Sequence, residues 1–212
     1  MLGASIGRGA MRIIKSMVRG LASAGVSPNI LTTVGVSINV LCGVLFGMGE
    51  FFWAGIVLII ANLFDMLDGN VARLSGNVTQ FGGFLDSSLD RLSDMVAFLG
   101  IIIFYAGNSP EHSLLNVTAA GIGLIGSVMV SYTTARSEGF GVKANVGFLQ
   151  RPERIVLLII GALSTVPNST SFFANRMPQV LWVLAIGSLW TFIQRMFYIW
   201  KELKNIEAVN GK

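Results

Sequence analysis

The chain has 212 residues, 53% hydrophobic and only 12% charged, with a mean hydropathy of +0.69. A water-soluble domain carries about a quarter charged residues, so composition excludes that class and indicates an integral membrane protein with one domain over residues 1–212. The net charge of +4 points to a membrane face and anionic head groups rather than to nucleic acid, and the lone Cys42 excludes an intramolecular disulfide.

Residues 1–20 set Arg8, Arg12, Lys15 and Arg19 among Ile6, Met11, Ile13, Ile14, Met17 and Val18. That pattern predicts a basic amphipathic helix lying on the membrane surface, with no apolar core and cleavage site of a signal peptide. Six apolar runs follow, at 29–49, 52–73, 80–107, 114–137, 150–166 and 177–200. Each is near the ~20 residues needed to span a bilayer. The expected fold is therefore all-α and integral to the membrane, with six transmembrane helices plus the surface helix. Ser27-Pro28-Asn29 opens the first span with a capping type and a proline. Turns are expected at 47–50, at the polar stretch 74–79, at Gly107-Asn108-Ser109-Pro110, over 140–150, and at Val166-Pro167-Asn168-Ser169. Gly43-x3-Gly47 and the glycines at 121, 123 and 126 read as small residues for close helix packing. His112, the one histidine, falls in a turn.

With the N-terminus inside, fourteen of the fifteen Lys and Arg fall on inner segments or the inner ends of spans, and only Arg176 lies outside. The positive-inside rule then places both termini in the cytoplasm. Arg73, Arg136, Arg151 and Arg154 share that side.

Four aspartates interrupt this apolar pattern: Asp65-x2-Asp68-Gly69-x2-Ala72-Arg73-x8-Gly82-x3-Asp86-x3-Asp90. Spacings of three and four put each pair on one face of its own helix. Packed face to face, the two helices gather the carboxylates into one pocket near the cytoplasmic rim. Charge is costly in lipid and is kept there for function. Oxygen donors in such a set suit hard divalent cations: Mg2+, Mn2+ or Ca2+. Gly69, Ala72 and Gly82 leave room for a bulky ligand, and Arg73 suits phosphate. Carboxylates, metal, small residues and an arginine together describe a diphosphate site, with one carboxylate left to take a proton.

The string from Asp65 to Asp90 resembles the signature of the CDP-alcohol phosphotransferase family at every fixed position. The resemblance implies a homodimeric membrane enzyme that uses Mg2+ or Mn2+, two ions per site. It implies transfer of the phosphatidyl or a similar phosphoalcohol group from a CDP-linked lipid, such as CDP-diacylglycerol, to a polar alcohol, with release of CMP in phospholipid synthesis. It implies that Asp65, Asp68 and Asp86 hold the metals, with Asp90 as a further ligand or the general base. Asp68, Gly69, Ala72, Arg73, Gly82 and Thr79 would line the nucleotide and diphosphate pocket.

Phe81 to Arg91, Ser131 to Arg136 with Glu138, Arg151-Pro152-Glu153-Arg154 and Arg195 resemble the bacterial phosphatidylinositol phosphate synthase branch. That likeness implies a phosphorylated acceptor, inositol 1-phosphate, with Arg136, Arg154 and Arg195 on its phosphate. Thr134 stands where a lysine is common in the branch, which leaves glycerol 3-phosphate as a rival acceptor. A cation transporter with a midplane acidic site is a rival of another class, yet Arg73 beside the aspartates suits phosphate and would repel a transported cation. Asp94 extends the Asp86–Asp90 stripe by a turn and is expected to pair with a base.

Overall fold

The computed structural model describes residues 16–25, 27–76, 78–108, 110–166 and 175–210. Outside them lie Arg8, Arg12 and Lys15 of the expected surface helix, Asn77, Ser109, Pro167-Asn168-Ser169 and Lys212. The described residues form helices and turns, with no strand among them. The helices are α1 (16–23), α2 (Pro28–Gly47), α3 (Phe51–Leu74), α4 (Gln80–Ala106), α5 (Leu114–Glu138), α6 (Arg151–Leu163) and α7 (Met177–Asn210).

Local chemistry sets most boundaries. Ser27 caps α2, its hydroxyl accepting from the Ile30 N–H at 3.4 Å, and Pro28 supplies a pre-set φ at the first helical position. Thr79 caps α4 by accepting from the Gly82 N–H at 2.9 Å, and Ser113 caps α5 through the Asn116 N–H at 3.3 Å. The tight turn into α3 uses Gly49 at φ +85°, a left-handed conformation that glycine adopts without a Cβ penalty. The last helix runs to Asn210 instead of stopping near 200, because residues 201–209 contain neither Gly nor Pro. Its 34 residues reach about 51 Å, well past a ~30 Å hydrocarbon core.

Among the described residues, four helices are long and apolar enough to cross a membrane: α2 from Ile30, α3, α5 and α7 as far as Ala208. Helix α4 has the length but carries Asp86, Asp90, Arg91 and Asp94, and α6 has only 13 residues, about 20 Å.

The helices pack in a closed ring. Neighbour pairs run α2–α3, α3–α6, α6–α7, α7–α5, α5–α4 and α4–α2. Inside the ring is one apolar core, including Cys42, Phe46, Phe51, Phe98, Ile101, Leu181 and Leu184. Small residues permit the closest approaches. A Cβ on Gly100 would sit 2.1 Å from the Gly43 carbonyl oxygen, and one on Gly126 would sit 2.7 Å from Ser188 Cβ. The packing expected of Gly43, Gly123 and Gly126 is thus present, whereas Gly121 faces open space. A second cluster joins Val18 of α1 to Leu31, Leu67 and Val71, tying the described end of the basic helix to α2 and α3.

The same connectivity collects the polar residues at one end. The start of α2, the end of α3, the starts of α4 and α6, the end of α5 and the second half of α7 all line adjoining cavities there.

Candidate active site

Helices α3 and α4 bring Asp65, Asp68 and Asp86 together, each offering a carboxylate oxygen within 4.8 Å of the others. Spacings of three on α3 and four on α4 aim these side chains at the seam between the helices. Asp68 is only 4% exposed and accepts a 2.7 Å hydrogen bond from the Thr32 hydroxyl of α2. Three carboxylates this close repel one another unless a cation or protons intervene. A set of hard oxygen donors fits Mg2+ or Mn2+. Asp90, one turn below Asp86, lines the same pocket but is held differently: its Oδ2 lies 2.7 Å from Arg151 Nη1.

On one flank of the carboxylates lies an open cleft of about 620 Å³. Gly69, Ala72, Arg73, Thr79 and Gly82, all read from the sequence as ligand-facing, line it together with Asp68 and Asp86. Thr32, Val78 and Gly83 complete its walls. The glycines keep the floor low, and the Arg73 guanidinium lies across Gly69, donating to Asn70 Oδ1 at 3.3 Å.

On the other flank is a second cleft of about 680 Å³ between α4, α5, α6 and α7. Arg91, Arg151, Arg154 and Arg195 line it with Asp90, Asp94 and Thr134. Arg154 and Arg195 are 2% and 5% exposed. Arg195 donates from Nε to the Val146 carbonyl at 2.7 Å and from Nη1 to the Val130 carbonyl at 2.8 Å and the Thr134 hydroxyl. Arg154 donates to Asp94 Oδ2 at 3.1 Å. Such a cleft has fixed positive charge and suits an anion. Arg136 stands apart from it. Two residues past Thr134, about 200° around the helix, it is exposed, and its guanidinium lies 4.9 Å over the Phe140 ring.

Three residues outside the expected site hold it together. Thr32 anchors Asp68, and Thr32 and Asn39, seven residues apart and so on one face of α2, were available in the sequence as a signal. Arg151 reads in the sequence as an inner-side charge and as part of the Arg151-Pro152-Glu153-Arg154 likeness, with no site role expected of it, yet Nη1 reaches Asp65 Oδ2 at 3.2 Å as well as Asp90. Asp94 pairs with bases as expected, namely Arg154 and, at 3.8 Å, Arg151 Nε.

Comparisons with known proteins place this geometry. The family described as CDP-alcohol phosphatidyltransferase matches residues 25–201. The chain is 36% identical over 208 residues to the phosphatidylinositol phosphate synthase of Mycobacterium tuberculosis strain H37Rv, covering 95% of this chain and 93% of that one. It is 38% identical to the archaetidylinositol phosphate synthase of Pyrococcus horikoshii, covering 87% and 89%. The crystal structure of the M. tuberculosis enzyme with CDP-DAG bound superposes at a TM-score of 0.81, with 34% identity, over 89% of this chain and 94% of that one. The structure of that enzyme with manganese and citrate gives 0.79, at 34% identity, over 88% of each chain.

Proposed function

The chain belongs to the CDP-alcohol phosphatidyltransferase family, and we propose that it transfers the phosphatidyl group of CDP-diacylglycerol to inositol 1-phosphate, releasing CMP. The observation that carries this reading is a carboxylate pocket that adjoins two clefts of opposite character, sharing Asp68 and Asp86 with the first and Asp90 with the second. One cleft is lined by small residues and Arg73 beside three carboxylates; the other is lined by arginines. Relatives of two domains of life, similar over most of this chain, are synthases of inositol-phosphate lipids, and one binds CDP-DAG and, in a second structure, manganese.

Asp65, Asp68 and Asp86 would hold two divalent ions, Mg2+ or Mn2+, with Asp90 within reach as a further ligand. Ions held by these carboxylates would supply positive charge to offset what builds on the departing CMP phosphate. Gly69, Ala72, Thr79 and Gly82 make room for the nucleotide and diphosphate, and Arg73 pairs with phosphate oxygen. Arg154 and Arg195, fixed by Asp94, Val146 and Val130, orient the acceptor's phosphate. Asp90 takes the proton of the acceptor hydroxyl; that oxygen bonds to the lipid-side phosphorus, and the phosphorus–oxygen bond to CMP breaks. The two clefts bring donor and acceptor to the carboxylate pocket, the donor past Asp68 and Asp86 and the acceptor past Asp90.

The reading extends to the whole molecule. All six helices from α2 to α7 cross the bilayer, with α4 keeping its charges inside the ring. The distribution of basic residues supports a site end and both termini at the cytoplasmic face of the cell membrane. The chain acts as one domain and as a homodimer. Thr134 in place of a lysine keeps glycerol 3-phosphate as the competing acceptor.

The test is CMP release by the purified protein with CDP-diacylglycerol and Mn2+, screened over inositol 1-phosphate, glycerol 3-phosphate, inositol and serine. Turnover with inositol 1-phosphate and none with inositol is expected. Preferred turnover of glycerol 3-phosphate would move the acceptor assignment, and turnover of unphosphorylated alcohols would overturn the arginine cleft as an acceptor site.

A further inference from the structure

We propose that Arg151 is a positioning residue that couples metal in the carboxylate pocket to the arginine cleft, with Asp94 as its pivot; this rests on the transferase reading above. Among the described residues, Arg151 is the one guanidinium with ion pairs to Asp65 and Asp90 that also lines the arginine cleft. Its Nη1 lies 3.2 Å from Asp65 Oδ2 and 2.7 Å from Asp90 Oδ2. Its Nε is buried with no hydrogen-bond partner and lies 3.8 Å from Asp94 Oδ1. Asp94 is itself immobilised from the far side: Oδ2 accepts from Arg154 Nη2 at 3.1 Å and from the Ser127 hydroxyl at 3.2 Å. Oδ1 therefore stays presented to Arg151.

A guanidinium and a divalent cation cannot both draw fully on the same carboxylates, because like charges raise each other's energy. A metal held by Asp65 and its neighbours weakens the grip of Nη1 on Asp65 and Asp90. A movement of under about 1 Å then brings Nε within hydrogen-bond distance of Asp94, satisfying a buried orphan donor. The freed edge of the guanidinium faces the cleft shared with Thr134, Gln150 and Arg154. It also leaves Asp90 without its ion pair and available to the acceptor hydroxyl. Metal binding and readiness of the acceptor cleft become one linked equilibrium.

Mn2+ binding to the full chain in detergent micelles, followed by the spin-resonance signal of free Mn2+ and with no substrate present, tests this. Arg151→Gln removes the competitor and tightens Mn2+ by about tenfold. Asp94→Asn removes the alternative partner, leaves Arg151 on Asp65 and Asp90, and weakens Mn2+ by about fivefold. In the Arg151→Gln background the same Asp94 change shifts the affinity by less than about twofold, because its effect runs through Arg151. Arg151→Lys, which keeps the charge, falls between wild type and Arg151→Gln. A misfolded variant loses Mn2+, so tightening cannot come from misfolding. Unchanged or weaker Mn2+ binding in both Arg151 variants overturns the proposal. So does an equal Asp94 effect in both backgrounds, which would mean a general electrostatic field. Because no acceptor is needed, a failed titration with CMP release intact removes only the coupling, whereas an intact titration without CMP release removes only the transferase reading.

Discussion

The two clefts that meet at α4 solve the problem of charge near lipid in opposite ways. In the carboxylate pocket, Asp65, Asp68 and Asp86 crowd within 4.8 Å, with the Thr32 hydroxyl on Asp68 and the Arg151 guanidinium on Asp65. Their repulsion makes a divalent cation part of the working site. In the arginine cleft the balance is internal: Asp94 neutralises Arg154, while main-chain carbonyls of Val130 and Val146 hold Arg195. Its geometry is set by the protein alone. The first half is built to be completed by metal, and the second is built ready for an anion.

Removing the first half should have the largest effect. Asp68→Asn, or chelation of metal, is expected to cut CMP release by about a thousandfold or more. Retention of a tenth of wild-type activity in Asp68→Asn would break the division of labour. Asp90→Asn should lower kcat by about a hundredfold or more while both KM values hold, since a general base acts only in the transition state. Full activity in this variant would remove the base assignment. Arg195→Gln and Arg73→Ala should sharpen the contrast through opposite KM signatures. The first raises KM for the phosphorylated acceptor by about tenfold, the second raises KM for the CDP-lipid by a similar factor, and neither alters the other substrate. Crossed effects would mean that the two clefts are one site. Arg136→Ala should have the smallest effect, under about twofold on either KM, since an exposed residue stacked on Phe140 contributes little. A tenfold rise in acceptor KM would place Arg136 back in the cleft.

The same contrast explains what could be read from the sequence. The carboxylate half is sequence-local. Asp65 to Asp90 span two helices joined by one short turn, so spacing alone brought Gly69, Ala72, Arg73, Thr79 and Gly82 beside the aspartates. The arginine half needs α5, α6 and α7 to close against α4. In a linear sequence Arg136 and Arg151 are both basic residues near the inner ends of spans, and only the closed ring separates the exposed one from the one beside Asp65 and Asp90. Asp94 continued a visible four-residue stripe, but its partners Ser127 and Arg154 lie 33 and 60 residues away. The helices themselves were legible because apolar runs and caps are local. Helix α7 overran its expected end because hydropathy falls at the membrane edge whereas helix propensity continues through Lys201, Glu202, Leu203 and Lys204.

The central claim is that a phosphorylated alcohol in the arginine cleft receives the phosphatidyl group from the carboxylate cleft. Purified protein given CDP-diacylglycerol, Mn2+ and inositol 1-phosphate labelled in its phosphate tests this directly. The label should pass into the lipid phase in step with CMP release, and Arg195→Gln should require a higher acceptor concentration to match it. CMP release with the label left entirely in the aqueous phase would contradict the account.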